Sequence, residues 1–298
     1  MDKIQKLDQV CQYNELVGAE TFHPLISVVD FSKTQPIQHF RAAYGFYCVF
    51  LKEIKSCDLQ YGRGNYDYQE GTLVFVAPGQ VIGVTSNGEY AQPKGWALLF
   101  HPDLLHGTSL GQTMRNYSFF SYEVNEALHL SEQERHTIID CFRKIETELN
   151  HAIDKHSKTL IVSNIELLLN YCIRFYDRQF ITRNNVNKDI IVRFEKLLND
   201  YFLSDEPLNI GLPSVKYCAE KLFLSANYLG DLIKKDTGKT AQEHIQTKLI
   251  DIAKERVFDP SKSVSEIAYE LGFKYPQHFS RLFKKCVGCS PNEYRSAI

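Results

Sequence analysis

The C-terminal third of the chain contains the same pattern of helix, turn, helix and cap twice, and this repeat restricts the fold more than any other feature. Cys218, Ala219 and Leu222 recur 49 positions later as a second apolar triplet. After one inserted residue the offset becomes 50, so residues 229–238 match residues 279–288, each with paired lysines and a final glycine. The last third of the chain is therefore expected to form two copies of one helical module.

Cap signals delimit the helices of both copies. Residues 240–243 and 290–293 each place a hydroxyl at an N-cap and a glutamate three positions on, where the two side chains bond orphan backbone amides reciprocally. Pro291 stands at the first helical position of the second copy. Gly238 and Gly288 are placed to end the preceding helices in the left-handed conformation.

The spacing within each copy predicts two short helices that cross at an angle. The first runs from about residue 214 to 222, and the second begins near Ser225 or Tyr275 with apolar residues at i, i+3 and i+4. Each copy is thus expected to be a helix-turn-helix whose second helix can enter a DNA major groove about 12 Å wide. The alternative is a helical repeat that binds protein, although such repeats usually need at least about three copies.

These residues resemble the C-terminal signature of AraC/XylS-type bacterial transcription regulators. The matching segments are 265–273, 279–285, Gly288 and 290–295, while Tyr228, Leu229, Gly238 and Ala253 resemble the more variable first module of that family. The resemblance covers about residues 188–298. It implies that a long helix, here about 241–258, joins the modules so that both second helices face successive major grooves, about 34 Å apart.

The resemblance also implies which side chains of the second module read bases. They are Gln277, Ser280 and Arg281, of which Arg281 can address guanine and Gln277 can pair with adenine. The alternative for Arg281 is a solvated surface charge. Phosphate contacts are expected from lysines at Lys216, Lys234, Lys235, Lys284 and Lys285.

The first module departs from this pattern. Its matching positions are Asn227, Gly230 and Asp231, and Gly230 has no side chain with which to read a base. Asp231 could accept a hydrogen bond from a cytosine amine, or pair with Lys235 one turn later. The second interpretation leaves Asn227 and Tyr228 as base readers and indicates weaker readout by this module.

The charge of the C-terminal region is only slightly basic. Residues 188–298 contain 17 lysines and arginines against 15 aspartates and glutamates, whereas the rest of the chain contains 17 against 21. Nonspecific coating of nucleic acid is therefore not expected. Phosphate binding must come from local placement of lysines, with a modest dependence on salt.

The whole chain has the composition of a soluble protein. Of its 298 residues, 44% are hydrophobic, no apolar run approaches the ~18 residues that span a bilayer, and the N-terminus lacks a signal-peptide pattern. We therefore expect a cytoplasmic protein without membrane contact. Its eight cysteines form no disulfide framework. The pair Cys286 and Cys289 brackets a helix cap and is interpreted as structural, because a zinc site would need two further ligands.

The first ~125 residues contain strand and turn signals. Short runs at 44–51, 72–77 and 96–100 are rich in aromatic and β-branched residues, separated by Gly, Asn and Pro. Gly71 and Pro78-Gly79 resemble the second conserved stretch of the cupin barrel, over about residues 22–100. The fold class predicted is α+β multidomain, with an N-terminal cupin-like β-barrel and flanking helices, and a C-terminal all-α domain with two helix-turn-helix modules.

A cupin could be an enzyme, and the ligand pattern of that fold tests this possibility. Metal-dependent cupins resemble one another in histidine and glutamate ligands that residues 39–41 and 80–83 lack. No catalytic residue, metal site or cofactor is therefore predicted, and the effector-binding residues are unknown. Tyr44, Tyr47 and Trp96 could line a cavity for a small effector or fill the core.

Residues 131–182 are predicted to be helical. Ser131 and Glu134 form the pattern of a capping box, and an apolar stripe follows at residues 161, 165, 168, 172 and 175. The stripe could be a dimer seam or pack on the barrel. The predicted division is 1–130 sensor domain, 131–182 helical dimerisation or connector region, 183–187 polar linker and 188–298 DNA-binding domain.

Together these patterns predict a sequence-specific DNA-binding transcription regulator that reads double-stranded promoter DNA. Control by a small effector or by dimer geometry is expected through the N-terminal domain, in a homodimer that also contacts RNA polymerase. Two alternatives stay open. One is a cupin-type enzyme that binds small molecules, and the other is a protein-interaction module with accessory DNA binding.

Overall fold

The structure is a computed structural model, and it describes all residues except 1–3, 38–39, 53–57, 62–63, 67–70, 86–89, 91, 124–125, 183 and 297–298. The chain forms two compact units, residues 1–182 and 183–298. The first contains β-sheets with helices, and the second is helical. The predicted α+β composition, with a helical C-terminal domain, is confirmed at this level. Within the described ranges, no helix is long and apolar enough to cross a membrane.

The N-terminal unit contains ten strands and four α-helices within its described residues. In chain order these are β1 (Gln5–Leu7), α1 (Val10–Val17), β2 (Ile26–Asp30), β3 (Phe40–Tyr44), β4 (Tyr47–Lys52), β5 (Asp58–Tyr61), β6 (Gly64–Tyr66), β7 (Thr72–Val76), β8 (Val81–Thr85), β9 (Gly95–Phe100), α2 (Ser109–Thr113), β10 (Leu128–His129), α3 (Glu132–Leu149) and α4 (Ser157–Thr182). Short 3₁₀ helices lie at Phe31–Lys33, Pro102–Leu105, Met114–Asn116 and Ser118–Ser121.

The strands form two five-stranded sheets. One has the order β1-β3-β8-β5-β6 and the other the order β10-β7-β4-β9-β2. A shared apolar cluster joins them, with Tyr44 and Ile82 from the first sheet and Phe50, Val74 and Leu99 from the second. The closed barrel that the turn spacing predicts is not confirmed, because no ladder links the two sheets in the part of the chain that the structure describes.

The second sheet is covered on both faces, which explains why its strands are continuously apolar. All five residues of β7 and all six of β9 are buried. Alternate residues such as Ala97 and Leu99 face the shared cluster. On the other face Trp96 stacks on Phe142 of α3, with ring centroids 6.2 Å apart. A sheet with two covered faces loses the polar alternation of a half-exposed sheet.

Tyr44, Tyr47 and Trp96, which could line a cavity or fill the core, do not all lie on the same side of the second sheet. Tyr44 is buried in the cluster between the sheets, with its ring 5.7 Å from that of Phe46. Tyr47 is half-buried on the opposite face of its sheet and stacks on Phe100 at 5.1 Å. Trp96 lies on that outer face as well. The packing of Tyr44 and Trp96 therefore favours core residues over the lining of one common cavity.

Helices α3 and α4 pack on each other at the end of this unit. The predicted capping box opens α3, with Ser131 N–H donating to Glu134 Oε2 at 2.8 Å. Arg178 on α4 donates from Nε to Glu134 Oε1 at 2.7 Å, which ties the two helices together. The predicted apolar stripe of α4 is buried within the unit, which favours internal packing over a dimer seam; its members are Ile161, Ile165, Leu168, Cys172 and Phe175.

The C-terminal unit consists of eight helices within its described residues. They are α5 (Asn184–Leu203), α6 (Glu206–Ile210), α7 (Val215–Leu222), α8 (Ala226–Thr237), α9 (Ala241–Val257), α10 (Val264–Glu270), α11 (Pro276–Val287) and α12 (Pro291–Ser296). Residues 184–187 of the predicted linker lie in the first turn of α5, and residue 183 lies outside the described residues.

The predicted caps of this unit are confirmed. Thr240 N–H donates to Glu243 Oε2 at 2.7 Å, and Ser290 N–H donates to Glu293 Oε2 at 2.6 Å. Gly238 and Gly288 have φ values of 75° and 95°. Their backbone amides donate to carbonyl oxygens four residues earlier, as a left-handed cap requires.

Candidate nucleic-acid interface

The first module consists of α7 and α8, and local capping fixes both helices. Ser214 Oγ accepts from the backbone N–H of Tyr217 at 3.0 Å, and Ser225 Oγ accepts from that of Tyr228 at 3.1 Å. Phe223 occupies the turn between the helices with φ of 62° and is 78% exposed. A bulky residue in this conformation is rare. No pattern in the sequence predicted this conformation at Phe223, whose equivalent in the second module is Gly272.

Helix α8 separates an inner face from an outer face. Leu229, Leu232 and Ile233 are buried, as their spacing predicts. Asn227 is exposed at the N-terminal end of the helix, where a base reader is expected. Lys234 and Lys235 are exposed in its last turn.

Tyr228 lies on the inner face and is only 5% exposed. Its neighbour Asn227 lies about 100° away around the helix and is exposed. The burial of Tyr228 therefore favours a core position over the base contact expected from the sequence. Gly230 is half-buried, and a Cβ added there would meet no atom within 4 Å.

The second module consists of α10 and α11. Ser263 and Glu266 form a capping box at the start of α10, with Ser263 N–H donating to Glu266 Oε2 at 2.7 Å. Pro276 opens α11, as a residue without an N–H can. The extra residue of this copy lies in the turn, where Gly272 has φ of 93°.

Helix α11 buries two phenylalanines and presents the predicted readers outward. Phe279 and Phe283 are fully buried, with ring centroids 5.7 Å apart, and this packing fixes the rotation of the helix. Gln277 and Arg281 are exposed, and Ser280 is half-buried. Positions 277, 280 and 281 lie on one side of a helix because they are three and four residues apart.

Two of the predicted readers have no polar partner among the residues that the structure describes. Within the described residues, neither Gln277 nor Arg281 makes a side-chain hydrogen bond or ion pair. Lys284 and Lys285 follow on the last turn of α11 and are exposed. Lys216 is exposed on α7, 3.9 Å from Glu220. His278 is exposed next to Tyr275, with ring centroids 5.4 Å apart.

Backbone and ionic contacts join helix α9 to α12 and to α5, and tie the two ends of the α10 segment together. Arg295 on α12 donates from Nε to the carbonyl of Val257 at 2.6 Å. Arg256 on α9 donates to the carbonyl of Phe202 at 2.8 Å. Lys262 and Glu270 form an ion pair of 2.6 Å across α10. Charged groups bonded to backbone carbonyls in this way hold neighbouring helices in one arrangement.

Comparison with known proteins agrees with this geometry. Residues 218–297 match a family model described as a helix-turn-helix domain. The chain is 38% identical over 96 residues to the uncharacterized transcriptional regulatory protein YesN of Bacillus subtilis strain 168, covering 31% of this chain and 26% of that protein. It is 25% identical over 153 residues to the probable transcriptional regulator LumQ of Photobacterium leiognathi, covering 51% of this chain and 57% of that protein.

Among solved structures, the chain is similar to the C-terminal domain of AraT, a response regulator from Geobacillus stearothermophilus. The identity is 27%, the match covers 37% of this chain and 85% of that one, and the TM-score is 0.33. The chain thus spans about a quarter to just over half of the length of the curated relatives named above.

The two capped modules with outward-facing second helices define the C-terminal unit as a helix-turn-helix domain. More particularly, it is a domain of the AraC type, as the resemblance of residues 265–295 implies.

Proposed function

We propose that the protein is a sequence-specific DNA-binding transcription regulator. One observation carries this proposal: Arg281 and Gln277 project from a helix whose rotation is fixed by the buried Phe279 and Phe283. Side chains that recognise bases must be presented in a fixed orientation to the groove. The AraC-type domain and the names of the relatives, which describe transcriptional regulators, support the same function.

In the second module, Arg281 reads guanine through its O6 and N7 atoms, and Gln277 reads adenine. Ser280, one position before Arg281, contacts a base edge at shorter range. Lys284 and Lys285, nearer the C-terminal end of α11, bind phosphate and set the position of the helix without reading sequence.

In the first module, Asn227 is the main reader. Gly230 offers no side chain, and the burial of Tyr228 removes a second polar group from the groove-facing side. Lys216, Lys234 and Lys235 supply phosphate contacts around Asn227. The first module therefore anchors the protein on DNA and contributes less sequence information than the second.

The N-terminal unit supplies control. Its two packed sheets form a cupin-like sensor region of about residues 1–130, and the helices of residues 131–182 connect it or pair two copies in a homodimer. Effector binding or dimer geometry changes how the DNA-binding domain, residues 188–298, is presented to promoter DNA and RNA polymerase. The proposed role is regulatory rather than enzymatic, which agrees with the names of the relatives.

A binding selection on random duplex DNA with the full chain at two salt concentrations tests the function. The expected result is an enriched motif with two boxes about 34 Å apart, the box of the second module being the more strongly specified. If only one box is enriched, the second module still reads sequence and the first module does not. If no sequence is enriched while the protein remains folded by circular dichroism, the proposal is wrong for the chain in the absence of an effector.

A further inference from the structure

Two adjoining clefts open on the surface of the N-terminal unit, away from the cluster between its sheets. One, of about 140 Å³, lies between residues 22–25 and the junction of α3 and α4. The other, of about 360 Å³, lies between residues 21–25, the start of α1 and the segment after β9. Phe22, His23 and Leu25 line both clefts. None of the lining residues belongs to the cluster that joins the sheets.

The smaller cleft is mainly apolar. Leu104, Leu149 and Ile161 line it and are buried, whereas Phe22 and Ile153 are 50% and 68% exposed. An apolar cavity of about 150 Å³ is large enough to hold benzene. This cleft therefore has room for one ring-sized group, and a bound group would cover Phe22 and Ile153.

The larger cleft offers hydrogen-bond donors. His23 Nδ1 accepts from the backbone N–H of Leu25 at 3.1 Å, so the proton of the neutral ring is on Nε2. His101 Nδ1 lies 3.2 Å from the backbone nitrogen of Asp103 and 3.3 Å from Asp103 Oδ2. Partial burial lowers the pKa of His23, which keeps its ring neutral at neutral pH.

A further donor stands beside the two imidazoles. The side-chain amide of Asn14 donates to Thr21 Oγ1 at 2.9 Å, which leaves the hydroxyl hydrogen of Thr21 to bond elsewhere. Thr21 lines the larger cleft. A ligand with a hydrogen-bond acceptor can therefore bind these donors, while the carboxylate of Asp103 in the same lining can accept from a ligand that donates.

The charge of the lining disfavours an anion. Asp103, Glu148 and Asp154 contribute three carboxylates, against one ammonium from Lys158. Lys158 Nζ already donates to the carbonyl of His106 at 3.0 Å. The net negative charge of the lining would repel a carboxylate ligand, whereas it would not repel an uncharged acceptor.

We propose that the two clefts together bind a small uncharged molecule with a ring-sized apolar body and an oxygen acceptor. The apolar body occupies the smaller cleft, and the oxygen accepts from His23 Nε2–H or from its neighbouring donors. This site lies outside the space between the sheets, and its occupation does not depend on DNA recognition.

Titration of the full chain with benzyl alcohol, followed by methyl NMR, tests the site. Saturable shifts are expected at the methyl groups of Leu104, Leu149, Ile153 and Ile161, which line the smaller cleft. Benzoate, which has a similar ring and a negative charge, is expected to bind at least about tenfold more weakly. Shifts confined to methyl groups between the sheets, such as those of Val74 and Ile82, would overturn the location.

Two substitutions test the apolar lining and the hydrogen-bond donor of the site separately. Phe22→Ala removes the apolar wall common to both clefts and should weaken benzyl alcohol and toluene alike. His23→Phe removes a donor and should weaken benzyl alcohol about fivefold relative to toluene, the effect of one hydrogen bond. His136→Phe, on the exposed surface of α3 outside both clefts, is the matched control. Absence of saturable binding, or undiminished binding by the Phe22→Ala protein, would overturn the proposal.

Discussion

Gly211 and Gly272 meet backbone to backbone, although they lie in segments far apart in the chain. A Cβ at Gly272 would lie 2.7 Å from the carbonyl carbon of Gly211 and 3.0 Å from the carbonyl oxygen of Pro207. Both glycines have positive φ, 97° at Gly211 and 93° at Gly272. The turn before helix α11 is therefore held against the segment at the end of α6.

Gly272→Ala is expected to destabilise the second module by about 2 to 4 kcal/mol. The substitution combines a strained left-handed conformation with a clash against backbone that cannot move aside. Hydrogen exchange of the full chain should show faster exchange in peptides from α10 and α11, with little change in α3 and α4.

Two other glycines provide controls for this effect. A Cβ at Gly288 meets nothing within 4 Å but φ is 95°, so Gly288→Ala should cost about 1 kcal/mol. Gly230 is helical with open space around it, so Gly230→Ala should stabilise the first module by about 0.5 to 1 kcal/mol. Equal effects at Gly272 and Gly288 would contradict a role for the contact with Gly211.

Arg281→Ala is expected to reduce DNA affinity by ~1 to 3 kcal/mol and to relax specificity at one base position. The loss follows from the two hydrogen bonds that a guanidinium makes to guanine. Arg281→Lys should retain charge and phosphate attraction but lose the paired geometry. The measurement is quantitative binding to the selected sequence and its single-base variants, with Arg143→Ala in the N-terminal unit as the control. An unchanged base profile would remove Arg281 from the readers.

Lys284→Ala and Lys285→Ala should weaken binding to all sequences by similar factors. Each lysine that contacts phosphate releases about one counterion, so each substitution should reduce the slope of log K against log salt by about 1. Binding measured between low and physiological salt gives that slope directly. A change in the preferred motif, with the slope intact, would instead make these lysines base readers.

The helix boundaries of the C-terminal unit could be predicted because capping is local chemistry. Thr240, Ser290 and the glutamates three residues on form bonds within one turn, and these bonds are present in the structure. The outward position of Arg281 followed from the same periodicity, since the buried Phe279 and Phe283 leave it no other side.

The sequence could not predict features that depend on distant partners. Tyr228 carries a hydroxyl that suggests exposure, but tertiary packing buries its ring. The apolar stripe that includes Ile165 and Leu168 would have the same spacing in the sequence whether it packs within its own unit or against a second copy of the chain. Whether a sheet closes into a barrel depends on which strands pair, and these strands lie far apart in the sequence. The local alternation of apolar residues does not indicate such pairings.

The capping boxes should make the helical unit sensitive to acid. Backbone N–H bonds from Thr240, Ser263 and Ser290 lower the pKa of Glu243, Glu266 and Glu293 below the ordinary value near 4.5. A carboxyl with a depressed folded-state pKa stabilises the fold above its unfolded pKa, and this contribution is lost as pH falls through the folded value. The stability of the helical unit, measured by thermal unfolding with helicity as the signal, should therefore fall below about pH 4.5.

Glutamine at all three positions should flatten this dependence, because its side chain completes a capping box without titrating. The difference in stability between the triple variant and the natural chain should be larger at neutral pH than at pH 3. Glu195→Gln with Glu255→Gln, at exposed positions outside the boxes, is the control. If the triple variant loses as much stability between neutral pH and pH 3 as the natural chain does, the capping boxes do not cause the acid response.

Asn227 and Tyr228 are adjacent on α8 but should respond to substitution in opposite ways. Asn227 is exposed and Tyr228 is 5% exposed, so only Asn227 is available to a base edge. Asn227→Ala should relax one base position of the first box at nearly unchanged stability. Tyr228→Phe should leave the base profile unchanged, whereas Tyr228→Ala should cost about 3 to 5 kcal/mol of stability through the cavity it leaves. Binding selections on the two single variants, Asn227→Ala and Tyr228→Phe, decide between them, and a base profile altered by Tyr228→Phe would restore Tyr228 as a reader.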